Sequence, residues 1–65
     1  MKLTQRLFAA RVDMDPSLIN RLIKGVTKRP SWDNAKKIAA EIGRSPGEVM
    51  DNAGTLISHY LDNYS

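Results

Sequence analysis

Residues 15–25 read Asp-Pro-Ser-Leu-Ile-Asn-Arg-Leu-Ile-Lys-Gly, and this stretch decides the fold. Asp15 is a good N-cap, and Pro16 stands at the first helical position, where its missing N–H costs nothing. Gly25 is a typical residue to end a helix. The spacing predicts a helix from about Asp15 to Lys24. At about 100° per residue, Ile19, Leu22 and Ile23 fall together on one side, and Ser17, Asn20, Arg21 and Lys24 on the other. One face anchors to a core while the other presents a hydroxyl, an amide and two cations. Arg bonds guanine bidentately, Asn does the same to adenine, and Ser adapts to either. A plain solvated amphipathic helix carries the same pattern, so the neighbouring segments decide.

Upstream, Thr4 is a reasonable N-cap for a helix running to about Val12, with Leu7, Phe8, Ala9, Ala10 and Val12 apolar. Asp13 then falls where a turn is needed, and Asp tolerates the left-handed conformation better than most residues with a side chain. Downstream comes the loop Val26-Thr27-Lys28-Arg29-Pro30. Ser31 caps a third helix whose apolar stripe is Trp32, Ala35, Ile38, Ala39 and Ile42, with Asp33 in the first turn and Gly43 at the end. Ser45-Pro46-Gly47-Glu48 is a capping box with proline at the first helical position. It opens a short fourth helix through Val49 and Met50 that ends near Asn52 to Gly54. Thr55 to Tyr64 reads as an amphipathic helix with the stripe Leu56, Ile57, Tyr60, Leu61 and Tyr64. There is no strand-like alternation, repeat or domain-dividing linker. The expected architecture is all-α, one domain over residues 1–65, built of about five short helices.

A chain of 65 residues buries only about 60% of the surface exposed when unfolded, so its stability margin is thin. With no cysteine and His59 as its one histidine, neither a disulfide nor a Cys/His metal site is available, and no cofactor is expected. Stability must come from a helical core or from a second copy. No stretch has the apolar run of a signal peptide or membrane span, so a soluble, cytoplasmic, nucleoid-associated protein is expected. Charge is unevenly placed. Residues 1–44 hold all ten bases against four acids, a net of +6, and residues 45–65 hold Glu48, Asp51 and Asp62 with no base, a net of −3. From Ser17 to Trp32 there are four bases and no acid. A basic half beside an acidic half suits a polyanion-binding face plus a separate surface. Catalysis is not expected: His59 sits beside Ser58 on the last helix without triad spacing, and no glycine-rich phosphate loop occurs.

Gln5 through Gly25 resembles the helix-turn-helix of the phage-repressor (Cro/Xre, lambda repressor-like) family. Ala9 matches the small residue that lets the two helices approach. Phe8, Val12, Met14, Ile19 and Leu22 match the apolar positions that hold their angle. The likeness continues through Gly25 to Pro30, the helix ending at Gly43 and the Ser45 to Met50 segment, covering residues 4–52 without gaps. The resemblance implies that Gln5 bonds a phosphate and braces the recognition helix. It implies that Ser17, Asn20 and Arg21 meet base edges, that Lys24 meets a base or a phosphate, and that Lys28 and Arg29 grip the backbone and fix register. Leu18 either touches a thymine methyl or packs partly against the core.

Three features depart from the family pattern. Asp13 stands where glycine is usual. Asp15-Pro16 opens the recognition helix where the family tends to carry polar contact residues, shifting base reading to Ser17, Asn20 and Arg21. The helix that normally precedes the one starting at Thr4 has no counterpart here, and Leu7 replaces a usually polar residue. The helix over 54–65, through Leu56, Ile57, Tyr60, Leu61 and Tyr64, is expected either to cover that surface and Leu7 or to form a dimer interface. One recognition helix reads few base pairs, so a homodimer on a pseudo-palindromic double-stranded site is expected. The functional expectation is a sequence-specific transcriptional repressor that occupies its operator. The alternative is an antitoxin or other partner-binding module that offers its last helix to another protein.

Overall fold

The computed structural model describes residues 3–64; Met1, Lys2 and Ser65 lie outside them. Among the described residues there are four helices and no strand: α1 (Gln5–Arg11), α2 (Pro16–Lys24), α3 (Trp32–Ile42) and α4 (Pro46–Asp62). Each start follows from its cap. The Thr4 hydroxyl accepts from the Leu7 N–H at 3.1 Å, Asp15 from Ser17 N–H at 2.8 Å and Ser31 from Asn34 N–H at 3.2 Å. At Ser45 the box closes both ways, Ser45 Oγ accepting from Glu48 N–H at 3.3 Å and Glu48 Oε1 from Ser45 N–H at 3.4 Å.

The turn between α1 and α2 is a Schellman motif. Met14 N–H donates to Ala9 C=O at 2.9 Å and Asp13 N–H to Ala10 C=O at 3.3 Å, with Asp13 in the left-handed region at φ 54°. The same pattern ends α2, where Val26 N–H reaches Arg21 C=O at 3.0 Å around Gly25 at φ 78°.

Two segments expected as separate helices join in α4. The break survives as one non-helical residue, Asn52 (φ −140°, ψ 36°). Nothing between Asn52 and Gly54 forces a left-handed stop, and Gly54 is not among the positive-φ glycines. Gly54 has a different duty. A methyl group there would overlap the carbonyl oxygen of Leu22 and lie 3.2 Å from its carbonyl carbon, so α4 crosses the end of α2 at backbone distance.

The core is centred on Phe8, Ile19, Ile38, Val49 and Ile57, all fully buried. Ala9, Ala35, Ala39 and Ala53 fill the close crossings around them. From the C-terminal stripe, Ile57 and Leu61 are buried and Leu56, Tyr60 and Tyr64 half-buried against the core. The end of α4 covers α1 of the same chain: the Tyr60 ring meets Phe8 edge-on at 5.7 Å, and Leu3 N–H donates to Leu61 C=O at 3.3 Å. Glu41 of α3 ties this corner together. Its Oε2 accepts from Tyr60 O–H at 2.9 Å and from Arg11 Nη1 at 3.2 Å, while the Arg11 guanidinium lies 4.8 Å over the Tyr64 ring. Burial, then the bond to Glu41 and its charge, raises the Tyr60 pKa above the usual tyrosine value.

Two side chains correct the sequence reading. Leu7, expected under the last helix, is 55% exposed; it follows Arg6 on the outward side of α1, where α4 does not reach. Trp32, expected in the α3 stripe, is 54% exposed. At 100° per residue it stands roughly 70° from the mean direction of Ala35, Ile38, Ala39 and Ile42, at the edge of the stripe rather than on its centre.

Candidate nucleic-acid interface

The α2 face begins with its anchoring. Ile19 and Leu22 are buried and Ile23 half-buried, so the helix has one permitted rotation. Leu18 is also half-buried against the core, as the packing reading of that residue expects. Held this way, α2 turns Ser17, Arg21 and Lys24 to solvent.

Asn20 differs from its three neighbours. It is half-buried, and its Nδ2 donates to Oε1 of Gln5 at 3.0 Å. The bond joins the first residue of α1 to the middle of α2 across the turn. It leaves the Gln5 amide nitrogen with both hydrogens for an outside acceptor. Bracing by Gln5 was implied by the family resemblance, but Asn20 as the braced residue was not read from the sequence. A face assignment gives direction and says nothing of a partner 15 positions away.

Asp15, an acid at the edge of a cationic face, is committed to its helix. Its pKa is lowered first by the Ser17 backbone N–H, then by the Ser17 hydroxyl, with the Arg21 charge adding. The carboxylate therefore satisfies the start of α2 and offsets part of the local positive charge.

Cations with and without an acid partner both occur among the described residues, Arg6 and Lys37 being exposed and outside the ion pairs. Arg11 pairs with Glu41 at 3.2 Å, Lys36 with Asp33 at 3.7 Å and Arg44 with Glu48 at 3.4 Å. Among the described residues, Arg21 and Lys24 on α2 and Lys28 and Arg29 on the following loop form no ion pair, and all four are exposed. Pro30 is buried, pinning the loop that carries the last two. The result is a rigid rod with a polar, cationic flank and a cationic loop at its C-terminal end. Two Arg forks and two Lys ammonium groups without internal acceptors suit phosphates and guanine edges.

Elsewhere, chemistry-bearing residues are dispersed. His59 is exposed on α4, with Asn63 Nδ2 3.3 Å from its Nδ1, and the described residues hold no group of three His, Cys, Asp or Glu placed for a metal ion. No helix among them is long and apolar enough to cross a membrane.

In comparison with known proteins, a family model described as helix-turn-helix matches residues 1–49. No curated protein and no solved structure matches the chain.

Proposed function

The chain belongs to the Cro/C1-type helix-turn-helix family of DNA-binding regulators, and on that premise we propose that it is a sequence-specific repressor that binds double-stranded DNA as a homodimer. The observation that carries this reading is the α2 flank: apolar residues fix its rotation, and Arg21, Lys24, Lys28 and Arg29 stand exposed with no ion pair among the described residues. A major groove about 12 Å wide admits such a helix. Arg21, flanked by Ser17 and Lys24, reads base edges, while Lys28, Arg29 and Gln5 hold phosphates and set the register. Asn20 acts mainly through Gln5.

The size of the described domain favours reading by two copies. Its longest dimension is 29 Å, less than the roughly 34 Å between successive major-groove faces, so one copy reads one half-site and two copies read a pseudo-palindrome. On this reading repression proceeds by occupying the operator and excluding polymerase. The apolar stripe of α4 is engaged within the chain at Ile57 and Leu61, which favours this reading over a module that offers that stripe to another protein.

Selecting duplexes from a random pool tests it. The expected product is a short motif repeated in inverted orientation, half-site centres about 10–10.5 base pairs apart or a multiple of that. A pool with no enriched motif overturns sequence-specific binding. An enriched single motif bound one copy per duplex overturns the dimer.

A further inference from the structure

Three large apolar side chains are conspicuously exposed, and two of them, Val26 (72%) and Trp32 (54%), bracket the loop that carries Lys28 and Arg29. Isolated exposed apolar residues are ordinary. A tryptophan half out of the core, three residues beyond an unpaired Arg-Lys pair, is a different matter. Indole is amphipathic, a large apolar plate with one N–H donor, and such side chains concentrate at contact surfaces.

We propose that Trp32 is a DNA-backbone contact, its ring lying against a deoxyribose and its Nε1–H donating to a phosphate beside those held by Lys28 and Arg29. The proposal rests on the DNA-binding reading above and extends the contact surface from α2 and the loop to the first turn of α3. Charge selects the occupant. From Ser17 to Trp32 there are four bases and no acid, so a second copy seated on Trp32 brings the cationic loops of both protomers together with nothing to neutralise them. A phosphate backbone neutralises them directly. The next acid in the chain, Asp33, is turned to Lys36 at 3.7 Å. Pro30 is buried and Ser31 caps α3 through Asn34 N–H, so the indole is carried on a fixed stem.

Trp32 is the chain's one tryptophan, which makes its fluorescence a direct report. The full chain is titrated with the selected duplex and with a random duplex at low salt. Anisotropy of a labelled duplex follows binding, while Trp32 emission and its quenching by acrylamide follow the contact. Both tryptophan signals are expected to change in step with anisotropy on both duplexes, because a backbone contact is blind to sequence. Trp32→Phe, which keeps an aromatic ring and removes the donor, is expected to weaken both duplexes by the same factor, roughly 10- to 100-fold, the size of one hydrogen bond to a charged group. Normal binding with unchanged Trp32 emission and acrylamide access overturns the proposal and leaves the DNA-binding reading standing. Emission that follows protein concentration without DNA and ignores added duplex overturns it in favour of a contact between copies. No binding to any duplex removes both readings.

Discussion

Arg11 and Arg21 sit on consecutive helices and meet opposite treatment. Arg11 belongs to a corner where every group has an internal partner: Glu41 takes its guanidinium at 3.2 Å and the Tyr60 hydroxyl at 2.9 Å, and Tyr64 lies under it at 4.8 Å. Arg21 belongs to a flank where three further cations, Lys24, Lys28 and Arg29, are likewise without an ion pair among the described residues. The same side chain locks three helices in one place and is kept available in the other. What separates them is the supply of acids and aromatics from α3 and α4, which reach α1 and stop short of the outer side of α2. A small domain cannot stabilise itself with every charge and still hold a cationic surface ready for a polyanion.

The two regions meet at Gly54, and the largest effect should come from there. Gly54→Ala places a methyl on the Leu22 carbonyl, so α4 must lift from the end of α2. Overpacking against backbone falls at the top of the roughly 1–3 kcal/mol range or above it, and the midpoint of thermal unfolding should fall by more than about 10 °C. DNA binding should fall with it, since α2 loses its platform. If stability drops while the remaining folded protein binds DNA with unchanged affinity, the platform is not shared and the two regions are independent.

Next in size are substitutions on the flank itself. Arg21→Ala should lose about 1–3 kcal/mol on the selected duplex and little on a random one, with thermal stability within about 0.5 kcal/mol of the parent. Lys28→Ala should weaken all duplexes alike and reduce the salt slope by about one unit. Equal losses on both duplexes for Arg21→Ala would make it a backbone contact. An unchanged salt slope for Lys28→Ala would remove that phosphate contact.

The mirror experiment is Glu41→Ala. It releases Arg11 and Tyr60 together and should lower the melting midpoint by roughly 4–8 °C, about one net hydrogen bond in a domain of this size. Affinity of the folded protein for DNA should be unaltered. A shift in sequence preference would show that the corner steers α2 as well as holding α4.

These contrasts also mark what the sequence discloses. The helix starts were legible because caps are local: Thr4, Asp15-Pro16, Ser31 and Ser45-Pro46-Gly47-Glu48 each act within three residues. The left-handed turn at Asp13 followed from the same short-range logic. The inward and outward faces of α2 were legible from periodicity, and the interruption near Asn52 was legible too, though not that the segments on either side of it join into one helix. Periodicity assigns a face and is silent about the neighbour. The bonds Asn20–Gln5 and Tyr60–Glu41, 15 and 19 residues apart, were therefore not foreseen. Gly54 fits the end of a helix by local signals alone, because its duty at Leu22 lies in another segment. Trp32 fits the α3 stripe by spacing alone, but whether the first turn of a helix has anything packed over it depends on the rest of the fold.

A subtler sharpening concerns the bond that makes Asn20 unlike its neighbours. Gln5→Ala and Asn20→Ala should each weaken all duplexes, and the double variant should lose less than the sum, with a coupling of at least about 0.5 kcal/mol. The sequence preference should stay as it was in each variant. Additive losses would mean that the two amides act separately on DNA. A changed preference in Asn20→Ala alone would restore it as a base reader.

The smallest effect is the most diagnostic of how the flank is balanced. Asp15 is an acid at the mouth of a cationic surface, kept there because α2 needs a cap: its Oδ1 accepts from Ser17 N–H at 2.8 Å. Asn caps about as well as Asp, so Asp15→Asn separates the cap from the charge. At neutral pH, stability should change little, while affinity for any duplex should rise and the salt dependence should steepen, because one negative charge has left the neighbourhood of Arg21 and the phosphates. The acid side gives the second half of the test. The Asp15 pKa is depressed in the folded chain below its ordinary 3.8, chiefly by the Ser17 N–H. Its contribution to stability is then full above the unfolded value and lost as pH falls from there through the folded value. The parent should lose that part of its stability below about pH 4, and Asp15→Asn should not. If the variant instead follows the parent down the acid limb and binds DNA no better, Asp15 neither caps by its charge nor tempers the cations. The contrast between a region that consumes its charges and one that holds them free would then not extend to the first turn of α2.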